Sequence, residues 1–168
     1  MGPSADEFNA FVVSRQRRLQ RMAWLLTGDW QSAEDLVQDA LAKAWRHWRR
    51  VCAAEDIDAY VCRTIVNTFI SGRRRLWRHE HPTADPPEDR TAEPSAAVVT
   101  QIVVTEALTN LSRRQRTVVV LRYFEDLSIP DIAQRLGWPI GTVKSTTSKA
   151  LDRLRADARL ADLVEEVH

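Results

Sequence analysis

The chain has 168 residues, 24 Lys and Arg against 23 Asp and Glu, and 44% hydrophobic side chains. That length allows one ordinary domain or two small ones, and the composition excludes both a disordered polymer and a membrane protein. The net charge of +1 conceals three segments: residues 1–78 hold 13 basic and 9 acidic side chains, residues 79–97 hold Arg90 against five acids, and residues 98–168 hold 10 basic and 9 acidic.

From the N-terminus, Ser4 and Glu7 form a capping box ahead of a helix in which Phe8, Phe11, Val12, Leu19, Met22, Ala23 and Leu26 recur at helical spacing until Gly28. Ala33, Leu36, Val37, Ala40, Leu41, Ala44, Trp45 and Trp48 then predict the most regular amphipathic helix of the chain. Trp24, Trp30, Trp45 and Trp48 follow this buried stripe and are expected in the core. Its polar side carries Glu34, Asp35, Gln38 and Asp39. A third helix is expected from about Asp56 or Asp58, carrying Ile57, Val61, Ile65, Phe69 and Leu76, and ending in the basic run Arg73, Arg74, Arg75 and Arg78 around Trp77.

Residues 79–97 contain Pro82, Pro86, Pro87 and Pro94 among acids and small residues, a composition that blocks helix and buries little. This segment reads as an acidic, Pro-rich flexible linker. Beyond it, an apolar helix is expected from about Ala96 to Asn110. Ser112 with Gln115 caps another that ends near Phe124, and Ser128 with Asp131 caps a short one with Pro130 in its first turn and Gly137 as its stop. A long helix follows from about Gly141 to Ala158. No useful β-alternation occurs, so the fold is expected to be all-α, two small helical bundles joined by the linker.

Residues 128–151 have the features of a helix-turn-helix. Ala133 is small enough for two helices to cross, Gly137 tolerates a left-handed turn, and Val143 anchors the second helix six residues beyond the glycine. A second helix of this kind offers its N-terminal exposed residues to the major groove, here Thr142, Lys144, Ser145, Thr146, Ser148 and Lys149. Hydroxyls and two lysines suit phosphate and modest base contacts; no arginine fork for guanine sits on this face.

LTGDWQSAEDLVQDALAKAW resembles the polymerase-binding region 2 helix of the extracytoplasmic-function (group IV) sigma factors, and AYVCRTIVNTFISGRRRLWR resembles the helix that follows it. LSRRQRTVVVLRYFEDLSIPDIAQRLGWPIGTVKSTTSKALDRLR is similar to region 4 of the same family, in its actinobacterial branch. The resemblance covers residues 8–78 and 105–155. It implies a region 2 domain at 1–78, a linker at 79–97 and a region 4 domain at 98–168. It further implies that Glu34, Asp35, Gln38 and Asp39 meet the core polymerase, that Asn67, Arg73, Arg74, Arg75 and Arg78 meet the minus-ten element, and that the loop from about Arg50 to Asp58 captures a flipped base. The recognition helix would then read the minus-thirty-five element. Many family members carry arginine at the places of Thr146 and Leu151, so phosphate attraction should be weaker here. The implied partners are bacterial RNA polymerase core enzyme, promoter DNA and, as a candidate, an anti-sigma factor, with the free chain a monomer.

An enzyme is not expected, since the chain has neither a Gly-rich phosphate loop nor a Ser/His/Asp grouping. His79 and His81 lack ligand spacing with Cys52 or Cys62, and those two cysteines fit neither a disulfide framework nor a zinc pair, so no cofactor or metal is expected. Met1 to Arg15 has no long apolar run, which argues against a signal peptide, and no stretch reaches the roughly 20 apolar residues of a membrane span. A cytoplasmic protein without membrane insertion is expected. The alternative reading is a stand-alone helix-turn-helix regulator, which would need neither the acidic face nor the basic third helix.

Overall fold

The computed structural model describes residues 4–53, 56–72 and 96–160. Helix α1, Ala5–Thr27, begins at the expected capping box: the Glu7 N–H donates to Ser4 Oγ at 3.3 Å and the Ser4 N–H donates to the Glu7 carboxylate at 3.0 Å. It ends where Gly28 turns to φ +88° and donates its N–H to the Trp24 carbonyl. Helix α2, Trp30–Arg46, is capped by the Asp29 side chain, which accepts from the Ser32 N–H at 2.8 Å. Ala33, Leu36, Val37, Ala40, Leu41 and Ala44 form its buried face, as their spacing predicts.

Two expectations for the tryptophans need correction. Trp45 is 46% exposed, because it lies at the edge of the α2 stripe and is met there by the half-buried Phe8 ring at 5.0 Å. Trp24 and Trp30 are half-buried and stack on each other at 5.3 Å, Trp24 packing against the core as expected; of the four only Trp48 is fully buried. His47 leaves helical geometry and starts a short helix α3, Trp48–Cys52, so part of the expected base-capturing loop is helical and Val51 is buried.

Helix α4, Ile57–Ser71, is capped by Asp56 and buries Val61, Cys62, Ile65, Val66 and Phe69. Its last helical residue is Ser71, with Gly72 out of helical geometry. Leu76, the arginines at 73, 74, 75 and 78, and the linker lie outside the described residues.

In the second block, α5 is Ala96–Thr109 and α6 is Arg113–Val119, started by the reciprocal Ser112–Gln115 capping box. The helix expected to reach Phe124 instead widens into a π-helical segment, Val120–Phe124, where the Glu125 N–H reaches back to the Val120 carbonyl. Helix α7, Ile129–Leu136, has its Ser128–Asp131 box and ends at Gly137 with φ +67°; helix α8 is Ile140–Arg155. No strand occurs among the described residues, and no described helix is long and apolar enough to cross a membrane.

The two blocks share one core. Leu19, Met22 and Leu26 of α1, with Ile65 and Phe69 of α4, belong to the same buried cluster as Leu108 of α5, Val118 of α6 and Ala150 of α8. Nothing in the sequence announced this packing between blocks.

Candidate polymerase and nucleic-acid interfaces

Helix α2 separates its two chemistries by phase. Its apolar side is consumed by the core, and Glu34, Asp35, Gln38 and Asp39 emerge fully on the other side. Among the described residues none of these four makes an ion pair or a side-chain hydrogen bond. Asp35 and Asp39 stand one turn apart with like charge, an arrangement that weakens a helix by a few tenths of a kcal/mol. Lys43, the cation next along the helix, is turned away to donate to Thr68 Oγ1 at 2.9 Å. The result is an uncompensated acidic and amide face on a rigid helix, suited to a basic partner.

The helix-turn-helix forms as its sequence requires. Ile132, Ala133 and Leu136 of α7 meet Val143, Thr147 and Ala150 of α8, all buried, and the Thr147 hydroxyl satisfies itself on the Val143 carbonyl at 2.8 Å. Lys144, Ser145, Ser148 and Lys149 are exposed, and Thr142 and Thr146 half-exposed, on one side of α8. The Ser145 hydroxyl donates to the Thr142 carbonyl at 3.2 Å and keeps its acceptor lone pairs free. In the capping box of α7, the Ser128 hydroxyl and N–H both donate to the Asp131 carboxylate and hold it below its ordinary pKa, so the charge that favours the helix start persists into acid.

Asn67 is exposed on α4, four residues before the helix ends, and among the described residues its side chain has no hydrogen-bond partner. The arginine run that should accompany it lies outside the described residues. The structure therefore brings the acidic four together and the recognition six together, and shows Asn67 exposed near the end of α4.

A further set of residues, not anticipated from the sequence, joins the two blocks. Arg113 of α6 donates to the carbonyls of Phe69 and Gly72 at the end of α4, and its guanidinium lies 5.4 Å from the Phe69 ring centre. Arg116 is 8% exposed and donates to the carbonyls of Leu26 and Thr109. Burial, with the Arg113 charge adding to it, lowers the Arg116 pKa to about 10, which still leaves it charged at neutral pH. At the rim, Arg18 of α1 pairs with Glu125 at 2.6 Å and Arg135 of α7 pairs with Asp56 at 3.7 Å. Burial opposes the charge on Arg18, but its hydrogen bond to Glu125 and that residue's charge outweigh burial and raise its pKa. The only local hint of this seam is phase: Arg116 falls three and four residues before Val119 and Val120, on the buried side of its helix.

Comparison with known proteins follows the same division of the chain. Residues 11–79 match the model for sigma-70 region 2, and residues 101–154 match that for sigma-70, region 4. The RNA polymerase sigma-E factor of Streptomyces antibioticus is 36% identical across 94% of this chain and 87% of its own length. The ECF RNA polymerase sigma factor SigM of Mycobacterium tuberculosis is 35% identical across 88% of this chain and 74% of its own. Among solved structures, the sigma factor RpoE of Bartonella quintana, crystallised in complex with the anti-sigma factor NepR, superposes with a TM-score of 0.69 at 28% identity, over 91% of this chain and 99% of that one.

Proposed function

The chain belongs to the sigma-70 family and is an RNA polymerase sigma factor of the extracytoplasmic-function type, and from that premise we propose how its surfaces divide the work. The observation that carries the reading is the coexistence of two polar faces that no other described helix covers: the acidic face of α2 and the hydroxyl–lysine face of α8. A stand-alone regulator would need only the second.

In this reading residues 1–78 form the region 2 domain, 79–97 the linker and 98–168 the region 4 domain. Glu34, Asp35, Gln38 and Asp39 dock on a basic surface of the core polymerase. Thr142, Lys144, Ser145, Thr146, Ser148 and Lys149 enter the major groove at the minus-thirty-five element. Asn67 and the arginines at 73, 74, 75 and 78 hold the minus-ten element, where an amide can hydrogen-bond exposed base edges and guanidinium groups neutralise phosphates. The chain binds and positions rather than turning over a substrate, and acts in the cytoplasm where polymerase and chromosome are found. An anti-sigma factor, the kind of protein bound to the Bartonella quintana relative, is the candidate regulatory partner.

The test is size-exclusion chromatography with purified bacterial core polymerase, followed by run-off transcription from genomic fragments. Co-elution with new discrete transcripts is the expected outcome. Retained DNA binding without co-elution would replace this reading with a stand-alone regulator.

A further inference from the structure

We infer that residues 161–168 continue as an amphipathic helix that folds back along α5 and closes an apolar groove whose rim Leu160 already forms, so that the C-terminal block carries its own cover for that groove.

Helix α5 sets the demand. Its sequence, AAVVTQIVVTEALT, is apolar on nearly every side, the pattern of a helix that is covered all round. Thr105, Ala107 and Leu108 are buried, but Val103 and Val104 are only half-buried by the described residues. Beside them lies a groove of about 220 Å³, lined by Val104 and Leu108 of α5, Tyr123, Phe124, Leu154 of α8, and Leu160. Tyr123 and Phe124 are exposed at its edge. Apolar surface gathered in this way is stabilised by an occupant that brings apolar side chains of its own.

The chain beyond α8 is already aimed there. It breaks at Ala156 and Asp157 and turns helical again at residues 158–160. Asp157 caps this new start: its carboxylate accepts from the Arg159 N–H at 3.1 Å, and its carbonyl from the Leu160 N–H at 3.1 Å. Two contacts then fix the direction. Asn110 donates to the Asp157 carboxylate at 3.5 Å, and Arg159 donates to the Glu106 carboxylate at 2.8 Å. Moving from Asp157 to Arg159 moves the contact from Asn110 back to Glu106, so the segment sets off antiparallel to α5.

The two sequences match along that line. Stepping back along α5 at helical spacing, Asn110 and Glu106 are followed by Val103, Val99 and Ala96. On the departing segment, polar Asp157 and Arg159 are followed by Leu160, Leu163, Val164 and Val167, which fall on one face of a helix, while Asp162, Glu165 and Glu166 fall on the other. Polar positions therefore meet polar ones where the contact is seen, and apolar positions meet apolar ones where it continues. As helices, residues 158–168 extend roughly 16 Å and the stripe from Asn110 to Ala96 roughly 21 Å, so the segment stays on the stripe throughout. Covered in this way, the groove is closed to any other apolar helix until the segment leaves.

Hydrogen exchange of the full chain, read by mass spectrometry, tests the cover, with a dye that fluoresces on apolar surface as a second readout. In wild type, residues 161–168 should exchange more slowly than an unstructured peptide. Leu163→Asp combined with Val167→Asp should speed exchange in both 161–168 and 99–108 by roughly tenfold and raise dye fluorescence. Asp162→Asn with Glu165→Gln, on the outward face, should change neither. Should the apolar double variant unfold, the pin decides: Arg159→Glu should speed exchange of 161–168, and adding Glu106→Arg should slow it again. Wild-type residues 161–168 exchanging at the unstructured rate, or variants matching wild type in both readouts, would overturn the cover. So would a wild-type chain that sediments as a dimer and loses protection of 99–108 on dilution, which would give the groove to a second copy.

Discussion

Gly28 faces Thr109 so closely that a Cβ on the glycine would lie 2.8 Å from Thr109 Cγ2, and Gly28 is itself in the left-handed region at φ +88°. Two demands therefore meet at one residue: the turn that ends α1 and the approach of α5 to it. Gly137 shares the left-handed geometry, but its added Cβ would meet only the tip of Arg63 at 3.3 Å, a side chain free to move. Gly137→Ala should cost about 1 kcal/mol, from the backbone alone. Gly28→Ala should cost about 1–3 kcal/mol, and adding Thr109→Ser should recover the steric part only. Thermal unfolding followed by circular dichroism resolves the two, since each kcal/mol moves the midpoint of a chain this size by about 2–4 °C. Equal losses at both glycines would show that the close approach contributes nothing.

Asp35 and Asp39 give a separable prediction for polymerase binding. Both are exposed, without an ion pair among the described residues, and of like charge one turn apart, so their replacement by lysine leaves the α2 core untouched. Asp35→Lys with Asp39→Lys should abolish co-elution with core polymerase, while helicity and duplex binding by α8 stay at wild-type levels. Undiminished co-elution would remove α2 from the docking surface.

What could be read from the sequence was local. Ser4 with Glu7, Ser112 with Gln115 and Ser128 with Asp131 are caps three residues apart, and each forms reciprocally as its spacing implies. The α2 stripe and the Ala133, Gly137 and Val143 pattern lie within one or two helices and emerged intact. Trp45 was misread because periodicity puts a residue on a stripe without saying how wide the covering neighbour is; Phe8 alone does not hide an indole. The π-helical widening at Val120–Phe124 depends on how the following segment is pulled, with the Leu127 N–H bonded back to the Leu121 carbonyl. Least legible was the seam between blocks, since Arg116 and Leu26 are joined only by the tertiary fold. An arginine within an apolar run is equally consistent with a solvated edge.

Lys144 and Lys149 are the two cations of the recognition face, both exposed. If each neutralises a phosphate, each lysine-to-alanine substitution should reduce the slope of log affinity against log salt by about 0.9 and weaken binding to all duplex sequences alike. Thr146→Arg, on the same side of α8, should steepen the slope by a similar amount. Anisotropy titrations at several salt concentrations provide the measurement. A substitution that changed sequence preference with the slope unaltered would mean that the residue reads bases instead.

Cys62 and Cys52 should behave as different thiols. Cys62 is 3% exposed, between α1 and α4, and burial, reinforced by the charge of Glu125, pushes its pKa up to about 11. Cys52 is half-buried, and burial followed by the charge of Glu7 raises its pKa too, but it remains reachable. A disulfide reagent at pH 8 should therefore titrate Cys52 in the native chain and Cys62 only after denaturant. The sign of the linked pH effect follows. Cys62 stays protonated in the folded chain up to about pH 11, whereas unfolded cysteine ionises near pH 8.5. Between those values only the unfolded state loses the proton, so stability should fall as pH rises, by on the order of 2 kcal/mol. Other groups also titrate in this window, so the quantity to measure is the difference between wild type and Cys62→Ala in denaturant midpoints at pH 7.5 and pH 10. The alanine variant should be less stable at pH 7.5, for the loss of a buried side chain, yet lose less on going to pH 10. Parallel losses in the two proteins would place the Cys62 ionisation outside the folding equilibrium.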